Sequence, residues 1–276
     1  MSRIAIGSLL VAAGLAAAGC SGGHSGSAAP APTPQQAVLL AATHAEAATS
    51  VAATFSMRIG QGASGVTMSG SMAEQVRPHL LVQANITSME AAGASLPGGM
   101  TEIVTDRAFY LQSSLFGSIA SGKSWIEMPF SSLGASGDAI TQLFQQAENN
   151  SSPLAQTKLL AGATGVRKVG TGTVNGVPVT EYTGHFTIAE ALAKLPARDR
   201  QAVQQATAKA GVSGGDFTIW LDDQQQVHKL ILTEQGTSMS MSMTMTVTSM
   251  NQPVNIQVPA GSQVKVISAG DLGSGN

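Results

Sequence analysis

One stretch limits the fold of this chain more than any other. Residues 238–248 read Ser-Met-Ser-Met-Ser-Met-Thr-Met-Thr-Val-Thr. Met239, Met241, Met243, Met245 and Val247 share one parity, and serine or threonine fills the other. A strand sends successive side chains to opposite faces, so this stretch makes one apolar wall backed by one hydroxyl wall. A helix would scatter the same methionines around its axis. The wall is mostly thioether, which is flexible and suits surfaces that adapt to variable partners.

Three readings of the wall stay open. It is plain core, or the wall of a cavity for something greasy, or a soft-metal site. Thioether sulfur suits Cu(I), and Met-x-Met spacing on a strand separates Cα atoms on one face by roughly 6–7 Å. However, no histidine or cysteine interrupts the run. Burying four methionines contributes on the order of 6–12 kcal/mol of transfer free energy in either of the first two cases.

The bulk numbers exclude several classes. With 276 residues, 43% of them hydrophobic, the chain can build one sizeable core or two small ones. A net charge of −2 with 11% charged residues gives no basic patch for nucleic acid. Cys20 is the only cysteine, so neither an intramolecular disulfide nor a cysteine-rich metal site can form.

The N-terminus reads as an address. Arg3 precedes an apolar run of 15 residues, Ile4 to Ala18, too short to span a bilayer comfortably. Ala18-Gly19-Cys20 is similar to a bacterial lipobox, although Ala17 stands where leucine is usual. That resemblance implies cleavage before Cys20 and lipidation of it. Residues 1–19 are then a signal peptide. Residues 20–34, rich in Ser, Gly and Pro, form a tether, and 35–276 form a single domain.

Thr33-Pro34 starts a helix expected over Gln35 to Ala53. The period then shortens. Phe55, Met57 and Ile59 alternate with polar residues, as do Val66, Met68 and Met72, and then Leu80, Val82, Ala84 and Ile86. Further strands are expected over 101–106, 108–114 and 125–130. Ile140, Leu143, Phe144 and Ala147 mark a helix after Asp138. Asn175-Gly176 joins a hairpin of 166–174 and 177–187. Ile188, Leu192 and Leu195 share a helical face, and 198–210 is a second helix. Strands at 216–222, 227–234 and 238–248 finish the chain. This plan fits an α+β domain with helices covering one face of a curved antiparallel sheet.

Several motifs suggest chemistry that their context denies. Gly117 to Ser124 matches a phosphate loop, but the strand-like Trp125-Ile126-Glu127-Met128-Pro129 follows it instead of a helix. Gly211 to Gly215 matches G-x-S-x-G, yet the order is helix, serine, strand, the reverse of a nucleophile elbow. The five histidines have no ligand spacing and no obvious carboxylate partner in sequence.

Three further phrases occur in order: Gly122-Lys123-Ser124-Trp125-Ile126-Glu127-Met128, Val174 to Tyr182, and Phe217-Thr218-Ile219-Trp220-Leu221-Asp222. With the lipobox and tether, the chain resembles actinobacterial envelope lipoproteins of the LppX/LprG type, similar to outer-membrane lipoprotein carriers. The resemblance implies a half-barrel whose helices close the concave face over an apolar cavity. It implies binding, and transfer, of lipid or lipoglycan acyl chains without catalysis or cofactor, in a monomer anchored outside the cytoplasm through Cys20. Met239, Met241, Met243, Met245 and Val247 are the candidate cavity wall. The alternatives are a methionine-rich copper-handling lipoprotein and a non-catalytic envelope scaffold.

Overall fold

The first helix begins where the sequence tells it to. The Thr33 hydroxyl accepts from the Gln36 amide at 3.3 Å, and the Gln36 side chain accepts from the Thr33 amide at 2.9 Å. This reciprocal cap, with Pro34 in the first turn, starts α1 (Pro34–Ala47). The computed structural model describes residues 31–60, 65–91, 94–95, 98–134, 137, 141, 155–195, 200, 204, 211–236, 240–268 and 271.

After α1 come β1 (Ser50–Ile59), β2 (Val66–Gln75), β3 (Leu81–Ala91), β4 (Ala94–Ser95), β5 (Met100–Val104) and β6 (Ala108–Ser113). A short α2 (Gly117–Ala120) and β7 (Trp125–Pro129) follow. Then come β8 (Ala163–Val174), β9 (Val177–Thr187), α3 (Ile188–Lys194), β10 (Val212–Leu221), β11 (Val227–Gly236), β12 (Ser240–Met250) and β13 (Val264–Val266).

The strands form one open sheet in the order β13-β7-β6-β5-β3-β2-β1-β12-β11-β10-β9-β8, with β4 against β3. All pairings are antiparallel except β13 with β7. The fold is α+β, a curved half-barrel, as the sequence predicts.

Two local meanders, β1–β7 and β8–β12, meet at a single seam between β1 and β12. Ala53 faces Val247, Phe55 faces Met245, Met57 faces Met243 and Ile59 faces Met241. Both ends of the seam are fastened. The Gly60 amide donates to the Ser240 carbonyl at 2.9 Å, and the Asn251 amide donates to the Ser50 carbonyl at 2.9 Å.

The core lies on the concave face of the seam and the C-terminal meander. Ala37, Val38, Ala41 and Ala45 of α1 pack in one cluster with Phe186, Phe217, Ile219, Leu230, Leu232, Met243 and Met245. Ile188 of α3 and Leu160, in the 3-10 turns of Ala155–Gly162, join it. The alanines keep the α1 backbone close to the sheet, as a thin apolar stripe requires.

The expected helix over 35–53 is too long. Residues 50–53 belong to β1, where Ala52 faces Ser249 on one side and Ala73 on the other. Alanine is the best helix former, but the preference is worth only tenths of a kcal/mol per residue, and two flanking strands override it. The helix expected around Ile140 to Ala147 lies almost wholly outside the described residues. In the 198–210 stretch only Arg200 and Gln204 are described, both helical.

Two glycines are fixed by geometry. Asn175 and Gly176 both have positive φ, 49° and 82°, the conformation that a two-residue hairpin turn demands. Gly70 sits at the register shift between β2 and β3, where an added Cβ would lie 2.0 Å from the Asn85 carbonyl oxygen. Gly70→Ala therefore forces two strand backbones apart. We expect a loss of about 1–3 kcal/mol, seen as a lower urea midpoint with an unchanged m-value.

Candidate functional site

The strand register builds the concave face into a single surface. Directly opposed residues on neighbouring strands point to the same side. Met243 on β12 opposes Met57 on β1, Met57 opposes Met68 on β2, and Met68 opposes Met89 on β3. Four strands thus carry an unbroken methionine row. A parallel row runs Met245, Phe55, Gly70 and Ile86, and Met100 on β5 extends it. On the other side Met243 faces Leu232 and Met245 faces Leu230.

Met243, Met245 and Val247 are buried, and Met241 is half-buried. Met239 and Cys20 lie outside the described residues. Met57 and Met72 pack against the core cluster. Met68 and Met89 continue the row beyond it, half-buried.

Three carboxyl groups share this face. Glu74 opposes Val51 and Val82, Glu102 opposes Ala84 and Leu111, and Glu234 opposes Met241. Burial pushes Glu74 up to about 7, and pushes Glu102 and Glu234 upward as well. Loss of hydration disfavours the charged form. In its protonated form Glu74 is a hydrogen-bond donor within an apolar surface.

Among the described residues no cluster of three or more His, Cys, Asp or Glu could hold an ion. The described inward sulfurs of β12 have Leu230, Leu232, Phe55, Ile59, Met57 and Glu234 as cross-strand neighbours.

Two histidines have carboxylate partners that only the register reveals. His185 on β9 opposes Asp216 on β10 and its Nδ1 meets the Asp216 Oδ1. His228 Nε2 lies 3.1 Å from Asp222 Oδ2. Asp222 also caps its turn, its Oδ1 accepting from the Gln224 and Gln226 amides at 2.9 and 2.8 Å. The first pair is exposed and the second closes a hairpin. The phosphate-loop match resolves as α2, a turn with Ser121 and Gly122 at positive φ, and then β7. Ser213 of the G-x-S-x-G match lies on β10.

The chain's last stretch carries no expectation from its sequence, yet it organises the convex face. Segment 251–263 crosses the outside of the sheet and ends in β13 on the β7 edge. The alternation of Val254, Ile256 and Val258 with Asn255 and Gln257 is the signal that could have announced an extended segment.

No family model matches the chain. An uncharacterised 31.2 kDa protein of Streptomyces griseus is 34% identical over 118 residues, 42% of this chain and 38% of that relative. Less than two thirds of the relative is therefore spanned. Among solved structures, LprF of Mycobacterium bovis is similar with a TM-score of 0.51 at 11% identity, over 83% of this chain and 97% of LprF. The lipoprotein LppX of Mycobacterium tuberculosis gives a TM-score of 0.45 at 20% identity, over 81% and 98%. The likeness to LprF is one of fold, and it gives this chain the LppX/LprG-type architecture expected from its sequence. Among the described residues no helix is long and apolar enough to cross a membrane.

The inward carboxyls set a pH dependence of stability. Below pH 4.5, Glu74 is protonated in both the folded and the unfolded chain. Between 4.5 and about 7 the unfolded chain loses the proton and the folded chain keeps it. Stability therefore falls as pH rises through that window and levels off above it. Glu74→Gln should remove about 2–3 kcal/mol of that fall, read from urea unfolding at pH 4.5 and pH 8.

Proposed function

We propose that this protein is a lipid-anchored extracytoplasmic lipoprotein that holds lipid or lipoglycan acyl chains on the concave face of its half-barrel, and passes them on without catalysis. The observation that carries the reading is the methionine row. It starts in the packed core at Met243 and Met57 and runs on through Met68 and Met89, which the core cluster does not include. A row of flexible thioethers fits an acyl chain of varying length and unsaturation. Each buried methylene contributes about 0.8 kcal/mol, so affinity needs few polar contacts. The upward shift of Glu74 and Glu102 marks the same surface as poorly hydrated. Of the candidate wall, Met241, Met243, Met245 and Val247 form the β12 side of this surface, and Met239 stays a proposed continuation of it.

Cys20 is the proposed lipidation site, with residues 1–19 removed and 20–34 as tether. A flexible coil of that length spans roughly 20 Å. The fold shared with LprF supports this placement, and so do the lipobox and the Ser/Gly/Pro composition.

Two measurements test the reading. Full-length protein made in an actinobacterial host and gently extracted should yield near-stoichiometric acyl lipid on mass spectrometry. Met68→Glu with Met89→Glu should cut the lipid carried about tenfold with little loss of secondary structure. Protein free of acyl lipid, or lipid content blind to both charges, overturns the reading. Separately, Cys20→Ala should lose metabolically incorporated alkynyl palmitate and leave the membrane fraction.

A further inference from the structure

The convex face carries a second site with different chemistry. Segment 251–263 is fixed at both ends. At one end the Asn251 Oδ1 accepts from the Thr49 amide at 2.8 Å, and the Ser50 hydroxyl donates to the Gln252 carbonyl at 2.7 Å. At the other the Lys123 ammonium donates to the Ser262 carbonyl at 2.8 Å, and Val264 pairs with Trp125. Between the segment and the sheet lies an open cleft of about 460 Å³, within the usual range for small-ligand sites.

Its lining is unusual in composition. Three carboxamides rise from the sheet, Gln83, Asn85 and Gln112, and three come from the crossing segment, Asn255, Gln257 and Gln263. Thr101 sits between Asn85 and Gln112 in one cross-strand row. Trp125 closes the end, half-buried. No charged side chain lines the cleft among the described residues.

Much of the hydrogen-bonding capacity is unspent. Asn85 Oδ1 accepts from Gln83 Nε2 at 3.3 Å and from Thr101 Oγ1 at 3.1 Å, which leaves the Asn85 amide hydrogens and the Gln83 oxygen for a ligand. Gln257 Nε2 donates to Asn255 Oδ1 at 3.4 Å, leaving the Asn255 amide hydrogens and the Gln257 oxygen. Gln263 accepts from the Ala260 amide at 3.3 Å and keeps its own donors. Among the described residues Gln112 keeps both a donor pair and an acceptor.

This mixture decides between ligand classes. An anion would call for cations, and a cation would call for carboxylates. An apolar ligand would strand six polar groups at a cost of about 1–3 kcal/mol each. Hydroxyl groups both donate and accept, so vicinal hydroxyls match carboxamides that present both roles. The flat indole of Trp125 offers an apolar face to the C–H side of a sugar ring. We propose that this cleft binds a neutral sugar of a glycan. It lies on the face opposite the methionine row and does not depend on lipid binding.

The chain's two tryptophans make the test direct. Trp220→Phe leaves Trp125 as the only indole reporter in the full-length protein. Titration with neutral sugars and their disaccharides (glucose, galactose, mannose, arabinose, N-acetylglucosamine) should change Trp125 emission saturably for at least one. Saturation-transfer NMR should show the same sugar in contact. Gln112→Ala and Asn255→Ala alter exposed side chains, and each should weaken binding about tenfold. No saturable response to any sugar overturns the site, and so does a response that neither variant weakens. Delipidated cell-wall polysaccharide and glycolipid vesicles of the same sugar then identify the source. Retention on either, lost in Gln112→Ala, supports the site, and retention unchanged in that variant overturns it.

Discussion

The β1–β12 seam is the contact on which the rest depends. The two meanders are each held by neighbours in sequence, and among the described residues only this ladder joins them into one sheet. Its register places Phe55 against Met245 and Met57 against Met243, and so sets which residues the two halves present together. A slip of one residue would turn the methionine wall to solvent and bring Ser242, Thr244 and Thr246 inward. The α1 alanines belong to the same buried cluster as Met243, Met245 and Val247, so the helix, the seam and the core are coupled.

One sheet with two worked faces follows from this arrangement. The concave side is hydrocarbon and thioether, with three poorly hydrated carboxyls at its margins. The convex side is carboxamide and hydroxyl under a strap of chain. The period-two alternation separates these chemistries along every strand. An acyl chain on one side and a sugar on the other would therefore be held by consecutive residues of one strand. On β3, Ala84 faces inward and its neighbours Gln83 and Asn85 face out.

Local pattern revealed most of the strands. Alternation named β1, β2, β3 and β12, and Asn175-Gly176 named a hairpin, because these signals lie within a few residues. The wall on β12 was legible for the same reason. The row Met243–Met57–Met68–Met89 was not, since it exists only once four strands are in register. The inward carboxyls were half legible: Glu74 keeps the parity of Met72, but nothing local says that this parity is the dry one. The His185–Asp216 pair likewise needs the β9–β10 register. The boundary of α1 failed at Ala52, where weak local preference met two strong ladders. The convex cleft was out of reach because its halves, Gln83 to Trp125 and Asn255 to Gln263, come from distant segments.

The order in which the seam is made has its own consequence. β1 is among the first strands synthesised and β12 among the last, so the edge of β1 waits for almost the whole chain. Contacts of such long range slow folding, and an open edge invites pairing with other chains. Between Glu234 and Lys265 the sequence has no charged residue, so β12 offers no repulsion of its own. On β1 the single charge is Arg58, which faces Ser242 across the seam and reaches Thr67 at 3.1 Å. Arg58 is thus the one electrostatic guard on the two strands whose premature association with a second copy would tie two molecules together.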